Sequence, residues 1–283
     1  MSEILRSWKA GTAPQLLWID FDAYAHVVFS SGSPEWLRDP VRRAGALEQA
    51  QRVVNSQVLT IDMTAPCLAA AQGTGGDAAA IIDLLGAEAP QAYLSTLLDA
   101  VGHRLAQRMD VVLATPSPRD LLIAAGAPAD AEPSFNDLDD IGMALGDLAR
   151  GLSSKAVHGL LLNVSEPARF GEDEAEAVGS LLAAVRHFGW GTAVATPSAD
   201  WPPEDAFLDA VDADLFLFPQ GPIEDIVARA ERKVGGGLGD PFWSGAAEVP
   251  ANAKGVALFG TIPQAVQPEQ VLARLSTLTS LRA

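Results

Sequence analysis

The chain has 283 residues, 48% of them hydrophobic, with 19 Lys and Arg against 36 Asp and Glu for a formal net charge of -17. That balance, with a sequence pI near 4.5, excludes nucleic acid as a partner, because phosphate binding relies on clustered cations. Membrane spans are excluded by the lack of any run of about 20 apolar residues. The length fits one β/α-barrel domain of about 250 residues with short additions.

Short apolar runs recur along the chain, each closed by polar, Gly or Pro residues and followed by a helical stretch: Leu16 to Phe21, Val58 to Met63, Val111 to Ala114, Leu160 to Val164, Thr192 to Ala195, Leu215 to Phe218 and Val256 to Phe259. Continuous apolar runs suit strands buried on both faces, as in a parallel sheet wrapped by helices. The expected fold is a TIM (β/α)8 barrel occupying residues 1–283 as a single domain. Helices are expected from Pro40, behind an Asp39 cap, to about Asn55, with Val41, Ala44, Leu47 and Val54 on the apolar face, and then over Ala89 to Met109, Phe135 to Leu152, Glu172 to Phe188, Pro203 to Val211, Pro222 to Lys233 and Pro268 to Leu278. Lys233 to Leu238 carries three consecutive glycines, yet the pattern requires the seventh strand there. Acidic side chains such as Asp173, Glu174 and Glu176 are expected on solvent faces.

In a barrel the segments after each strand share the C-terminal face, where active sites of this architecture lie. Asp20 and Asp22 are two apart and should point the same way, with Phe21 opposed. Asp62 ends the neighbouring run. Carboxylates gathered in a partly dry mouth raise one another's pKa, leaving one protonated near neutrality as a general acid. Asp62, Asp20 and Asp22 are therefore the candidate catalytic residues. Candidate substrate contacts are Trp18, His26, Arg119, Glu166, Asp200, Gln220, Asp240 and Trp243. Arg119 is the best-placed cation for a carboxylate or phosphate, Glu166 could orient a ligand or simply pair with Arg169, and Trp18 could wall a pocket or belong to the core. One cysteine, Cys67, forms no internal disulfide, and an N-terminal stretch carrying Glu3 and Arg6 lacks a secretory pattern, so a cytoplasmic location is expected.

The opening Ser2 to Gly11 before Pro14 to Trp18, the run Val58 to Met63 followed by Thr64, Ala65 and Pro66, the turn Gly237-Leu238-Gly239-Asp240-Pro241, and Phe259 to Pro263 with Pro268 and Glu269 together resemble the uroporphyrinogen decarboxylase family and its relatives, the corrinoid-linked methyltransferases and cobalamin-independent methionine synthases. The resemblance implies a barrel, makes Asp62 the match to the aspartate at the family's substrate pocket, and suggests a corrinoid or folate cofactor and a corrinoid protein or partner subunit. The chain departs from the family where paired arginines would hold porphyrinogen carboxylates, offering Phe21, Asp22, Ala25 and His26. It also has no second cysteine for a thiolate zinc site, so no zinc is expected. Methyl transfer or demethylation of a small organic molecule is the leading expectation. The alternatives are decarboxylation of a small carboxylate, with Arg119 holding the substrate, and a non-catalytic accessory subunit.

Overall fold

The computed structural model describes residues 4–11, 15–71, 75–105, 108–197, 201–229, 233–250, 253 and 255–280. Eight parallel strands run β1 (Leu16–Asp20), β2 (Val58–Asp62), β3 (Asp110–Pro116), β4 (Gly159–Asn163), β5 (Gly191–Ala195), β6 (Leu215–Phe218), β7 (Val234–Gly237) and β8 (Ala257–Thr261). Backbone pairing links β1 to β8 and then runs down in order to β2, giving a nearly closed barrel in one domain. The predicted fold and all the predicted strands are realised.

The helices are α1 (Ile4–Lys9), α2 (Asp22–Ser30), α3 (Pro40–Val54), α4 (Ala65–Ala70), α5 (Ala78–Leu85), α6 (Glu88–Leu105), α7 (Pro118–Ala124), α8 (Phe135–Leu152), α9 (Glu172–Arg186), α10 (Asp205–Ala210), α11 (Ile223–Ala228), α12 (Asp240–Trp243) and α13 (Pro268–Ser280). Caps explain several limits. Asp39 accepts from the Arg42 N–H before Pro40, Asn55 closes α3 in the left-handed conformation, and Ser134 with Asp137 forms a capping box that starts α8. The stretch from Thr64 to Pro90 holds α4 and α5, and that from Pro116 to Ser134 holds α7.

Two cores follow from the alternation along the strands. Leu17, Ile19, Leu59, Ile61, Leu113 and Leu162 point outward against the helices. Leu16, Trp18, Val58, Val112, Leu161, Ala193, Leu217 and Phe259 fill the barrel, and Ile4, Leu5 and Trp8 of α1 pack beneath them. The glycines of β7 answer to its neighbours: at Gly236 φ is +141°, and an added Cβ would lie 2.0 Å from the Phe218 carbonyl oxygen. The predicted apolar face of α3 is corrected at Val41, which is 53% exposed, while Arg43, two residues on, is only 1% exposed.

The seam between β1 and β2 is joined differently. The Gln57 N–H donates to the Leu17 carbonyl at 2.9 Å, but the Leu17 N–H donates to the Gln57 side-chain Oε1 at 2.6 Å and the Ile19 N–H to Ser56 Oγ at 3.0 Å. Side chains thus satisfy edge donors that a neighbouring backbone would otherwise take.

Candidate functional site at the barrel mouth

The C-terminal ends of the strands enclose a cavity of about 250 Å³, walled by Asp20, Asp22, Thr60, Asp62, Asn163 and Thr261 among its polar residues and by Ala114, Leu161, Ala195, Pro197, Pro219 and Phe259 among its apolar ones. Side-chain alternation produces this set: Trp18, Thr60, Val112 and Leu161 point inward, and the next inward residues of β1 and β2 are Asp20 and Asp62.

Asp20 ends β1, and its Oδ1 accepts the Asp22 N–H at 3.2 Å. Burial is the main cause, and the charges of Asp22 and Asp62 add to it, of a pKa raised from 3.8 to about 7. This carboxyl is therefore about half protonated near neutrality. Asp22 starts α2 and is committed to a different role. Its Oδ1 takes Arg43 Nη2 at 2.9 Å and Nε at 3.2 Å, and its Oδ2 takes the Trp36 indole N–H at 3.4 Å. Arg43 lies beneath, its guanidinium also 3.4 Å from the Tyr93 hydroxyl, which in turn donates to the Trp36 carbonyl. Both guanidinium contacts fall on the one oxygen, and they offset part of the charge of Asp22 at the cavity wall.

Asp62 ends β2. Its Oδ1 accepts from the Thr64 N–H and Oγ1, each at 2.8 Å, and from the Ala65 N–H at 3.0 Å. It therefore shapes the turn into α4 as well as lining the cavity. Burial raises its pKa against the lowering effect of these hydrogen bonds. Cys67, on α4, is buried, and burial together with the Asp62 charge pushes its thiol up to about 11, which removes it as a nucleophile at neutral pH.

The other predicted contacts are distributed elsewhere. Trp18 lies one layer below the cavity, 1% exposed, with its indole N–H on Thr60 Oγ1 at 2.8 Å and its ring edge-on to Phe259. It belongs to the core. His26 sits on α2 with Nε2 2.9 Å from the Ser33 carbonyl and its ring against Trp36. Arg119 does not reach the mouth: its N–H and Nε bond Glu174 at 3.2 and 3.4 Å, and Nη1 bonds the Ala131 carbonyl. Its partner Glu174 is 2% exposed, correcting the expectation of a solvent-facing carboxylate. Glu166 is exposed on a 3-10 turn, 3.7 Å from Arg169. Gln220 Oε1 accepts the Asp240 N–H at 3.0 Å, tying two loops together outside the cavity. Trp243 is core, 1% exposed against Phe242. Ser198 and Asp200 lie outside the described residues.

Thr60, Asn163 and Arg43 are the site residues that sequence reading passed over. Counting back two from Asp62 finds Thr60, and the polar end of an apolar run marks Asn163. Arg43 has no local signal beyond a charge inside a helix. Among the described residues, no group of three or more His, Cys, Asp or Glu is placed to hold a metal ion, and no helix is long and apolar enough to cross a membrane.

No described protein family and no curated protein matches the chain. Among solved structures it is similar to a methyltransferase from Methanosarcina mazei, with a TM-score of 0.61 at 12% identity over 99% of this chain and 98% of that one. It is also similar to the homocysteine methyltransferase MmuM from Escherichia coli, with a TM-score of 0.48 at 13% identity over 94% of this chain and 95% of that one. At 12% identity the likeness to the Methanosarcina mazei methyltransferase establishes the barrel and nothing finer.

Proposed function

We propose that this protein is an enzyme of the uroporphyrinogen decarboxylase and methionine synthase-like superfamily that transfers or removes a methyl group on a small organic molecule at the barrel mouth, with Asp20 as general acid. The observation that carries the reading is the placement of Asp20. It lines a cavity at the face where barrel enzymes act and holds its proton near neutral pH. The strand-end resemblance supports methyl chemistry as the reaction class. In the step, the bond from the methyl carbon to its heteroatom breaks and the electron pair stays on the heteroatom, which takes the proton of Asp20. The methyl passes to the thiolate of a second substrate entering at the open rim, which becomes a methyl thioether. Thr60, Asn163 and Thr261 orient the substrate.

The lining favours a neutral or cationic substrate, such as a methylated amine or a methyl ether. Its described members include three aspartates and no cation, and Arg43 is spent on Asp22. Decarboxylation of a carboxylate loses its anchor, because Arg119 is bound to Glu174. An accessory role would suit a mouth filled by aromatic side chains, whereas Phe259 is the single aromatic among the described lining residues. A corrinoid or folate does not fit this cavity, whose volume of about 250 Å³ falls below the roughly 300–1,000 Å³ of drug-sized sites.

The test is a thermal-stabilisation screen of methylated amines and methyl aryl ethers at pH 6.5, followed by mass spectrometry of the demethylated product with a small thiol supplied as methyl acceptor. The expected result is turnover that declines above about pH 7 and falls by about a hundredfold or more in Asp20→Asn. Turnover unchanged in Asp20→Asn, or stronger stabilisation by carboxylates than by their neutral isosteres, would overturn the proposal.

A further inference from the structure

We propose that the opposite, N-terminal end of the barrel holds a second binding site, for a small organic ammonium ion carried on an apolar or aromatic body. A cavity of about 400 Å³ opens there, larger than the one at the mouth. Its origin is legible in the strands: β4 and β5 begin with Gly159 and Gly191, paired to each other, and the next inward residue of β5 is Ala193. Small residues in that quadrant leave the barrel floor unfilled. Helix α1 lies across it, fastened at one end by the Leu5 N–H on Asp110 Oδ2 at 2.7 Å and at the other by Lys9 on Asp214 at 2.5 Å.

Asp110 gives the cavity its chemistry. It is 1% exposed, and its Oδ1 has no hydrogen-bond partner among the described residues. A buried carboxylate oxygen without a donor is costly. The neighbouring imidazole does not supply one: His158 Nδ1 accepts the Val111 N–H at 3.0 Å, and Nε2 stands 3.9 Å from Oδ1, beyond hydrogen-bond range. Three cations are among the described lining residues, Arg6, Lys9 and Lys155, of which Lys9 is committed to Asp214 and Lys155 to Asp99 at 2.7 Å. The walls are the rings of Trp8, Trp18 and Trp190. A ligand N–H⁺ would complete Asp110 Oδ1 by a charge-assisted hydrogen bond while its body lies on the indoles, which also attract a cation. Of the two carboxylates among the described lining residues, Asp214 is paired with Lys9, so Asp110 is the one that disfavours an anion there.

The probe is 2-phenylethylamine, with the isosteric 2-phenylethanol as its neutral counterpart, measured by calorimetric titration and thermal shift. The amine should bind the wild type at least tenfold more tightly than the alcohol. Asp110→Asn should reduce amine affinity about tenfold while retaining an acceptor for the Leu5 N–H. Gly191→Val is the second variant, since an added Cβ there meets nothing closer than 3.9 Å, and its side chain should block the cavity and abolish binding in a folded protein. Asp20→Asn should leave amine binding unchanged, which separates this site from the mouth. Equal binding of amine and alcohol, undiminished binding in Gly191→Val, or loss of binding in Asp20→Asn would each overturn the proposal.

Discussion

Replacing Asp20 by Asn should make the protein more stable above neutral pH while removing its acid. A carboxyl whose folded pKa stands above its unfolded value contributes stability that is fully present below about pH 4 and is lost as pH rises through the folded pKa, about 7 here. Across that window the rise from 3.8 to about 7 corresponds to roughly 4 kcal/mol, at about 1.4 kcal/mol per pH unit. The side chain keeps some contact with water, so about half, or roughly 2 kcal/mol, is the expected yield. Asn presents the same oxygen to the Asp22 N–H and never carries the buried charge, so its stability lacks this dependence. In a chain of this size about 2 kcal/mol moves Tm by about 3–4 °C. Scanning calorimetry of both proteins at pH 5 and pH 8.5 should find Asn gaining on the wild type by about two thirds of that amount between the two, because about two of the roughly three pH units of the window lie above pH 5. A Tm difference that is the same at both pH values would refute the electrostatic assignment, and with it the case for Asp20 as a proton donor.

Three further outcomes follow from the same geometry. Asp62→Asn retains an acceptor for Thr64 and Ala65 but removes a charge that raises the Asp20 pKa, so the alkaline limb of activity should move to lower pH with folding retained. An unmoved limb would separate the two carboxylates. Arg43→Met strands Asp22 without its counter-ion and should cost about 2–4 kcal/mol in urea denaturation, near the loss expected when one partner of a largely buried pair is removed. A loss under about 0.5 kcal/mol, ordinary for a surface change, would contradict the structure. Gly236→Ala drives a Cβ into the Phe218 carbonyl and should leave no cooperative thermal transition, whereas Gly171→Ala, with open space around it, should leave Tm within a few degrees of wild type.

The barrel is legible because buried parallel strands are written as unbroken apolar runs, and period-two alternation then carries Asp20 and Asp62 to the mouth without any tertiary knowledge. What the sequence hides is commitment to a partner. Arg119 follows a strand as an anion-binding cation would, but Glu174, fifty-five residues later, holds it. Arg43 sits in a helix beside Val41, and only the fold decides that the charged residue turns inward toward Asp22 and the apolar one outward. Trp18, Trp243 and His26 share one explanation. An aromatic residue near a strand end is equally compatible with floor, wall or loop, and packing against Phe259, Phe242 and Trp36 chooses among these.

The seam between β1 and β2 bears on the two acids above it. Around the rest of the barrel, the spacing of neighbouring strands is dictated by peptide groups that no substitution can alter. Between the strands that carry Asp20 and Asp62, part of that spacing is entrusted to Ser56 and Gln57. The separation of the carboxylates, and hence the strength with which Asp20 holds its proton, is thereby made heritable in two side chains at the far end of the strands. A hydroxyl or an amide lost there would retune the acid at the mouth from the barrel's opposite end.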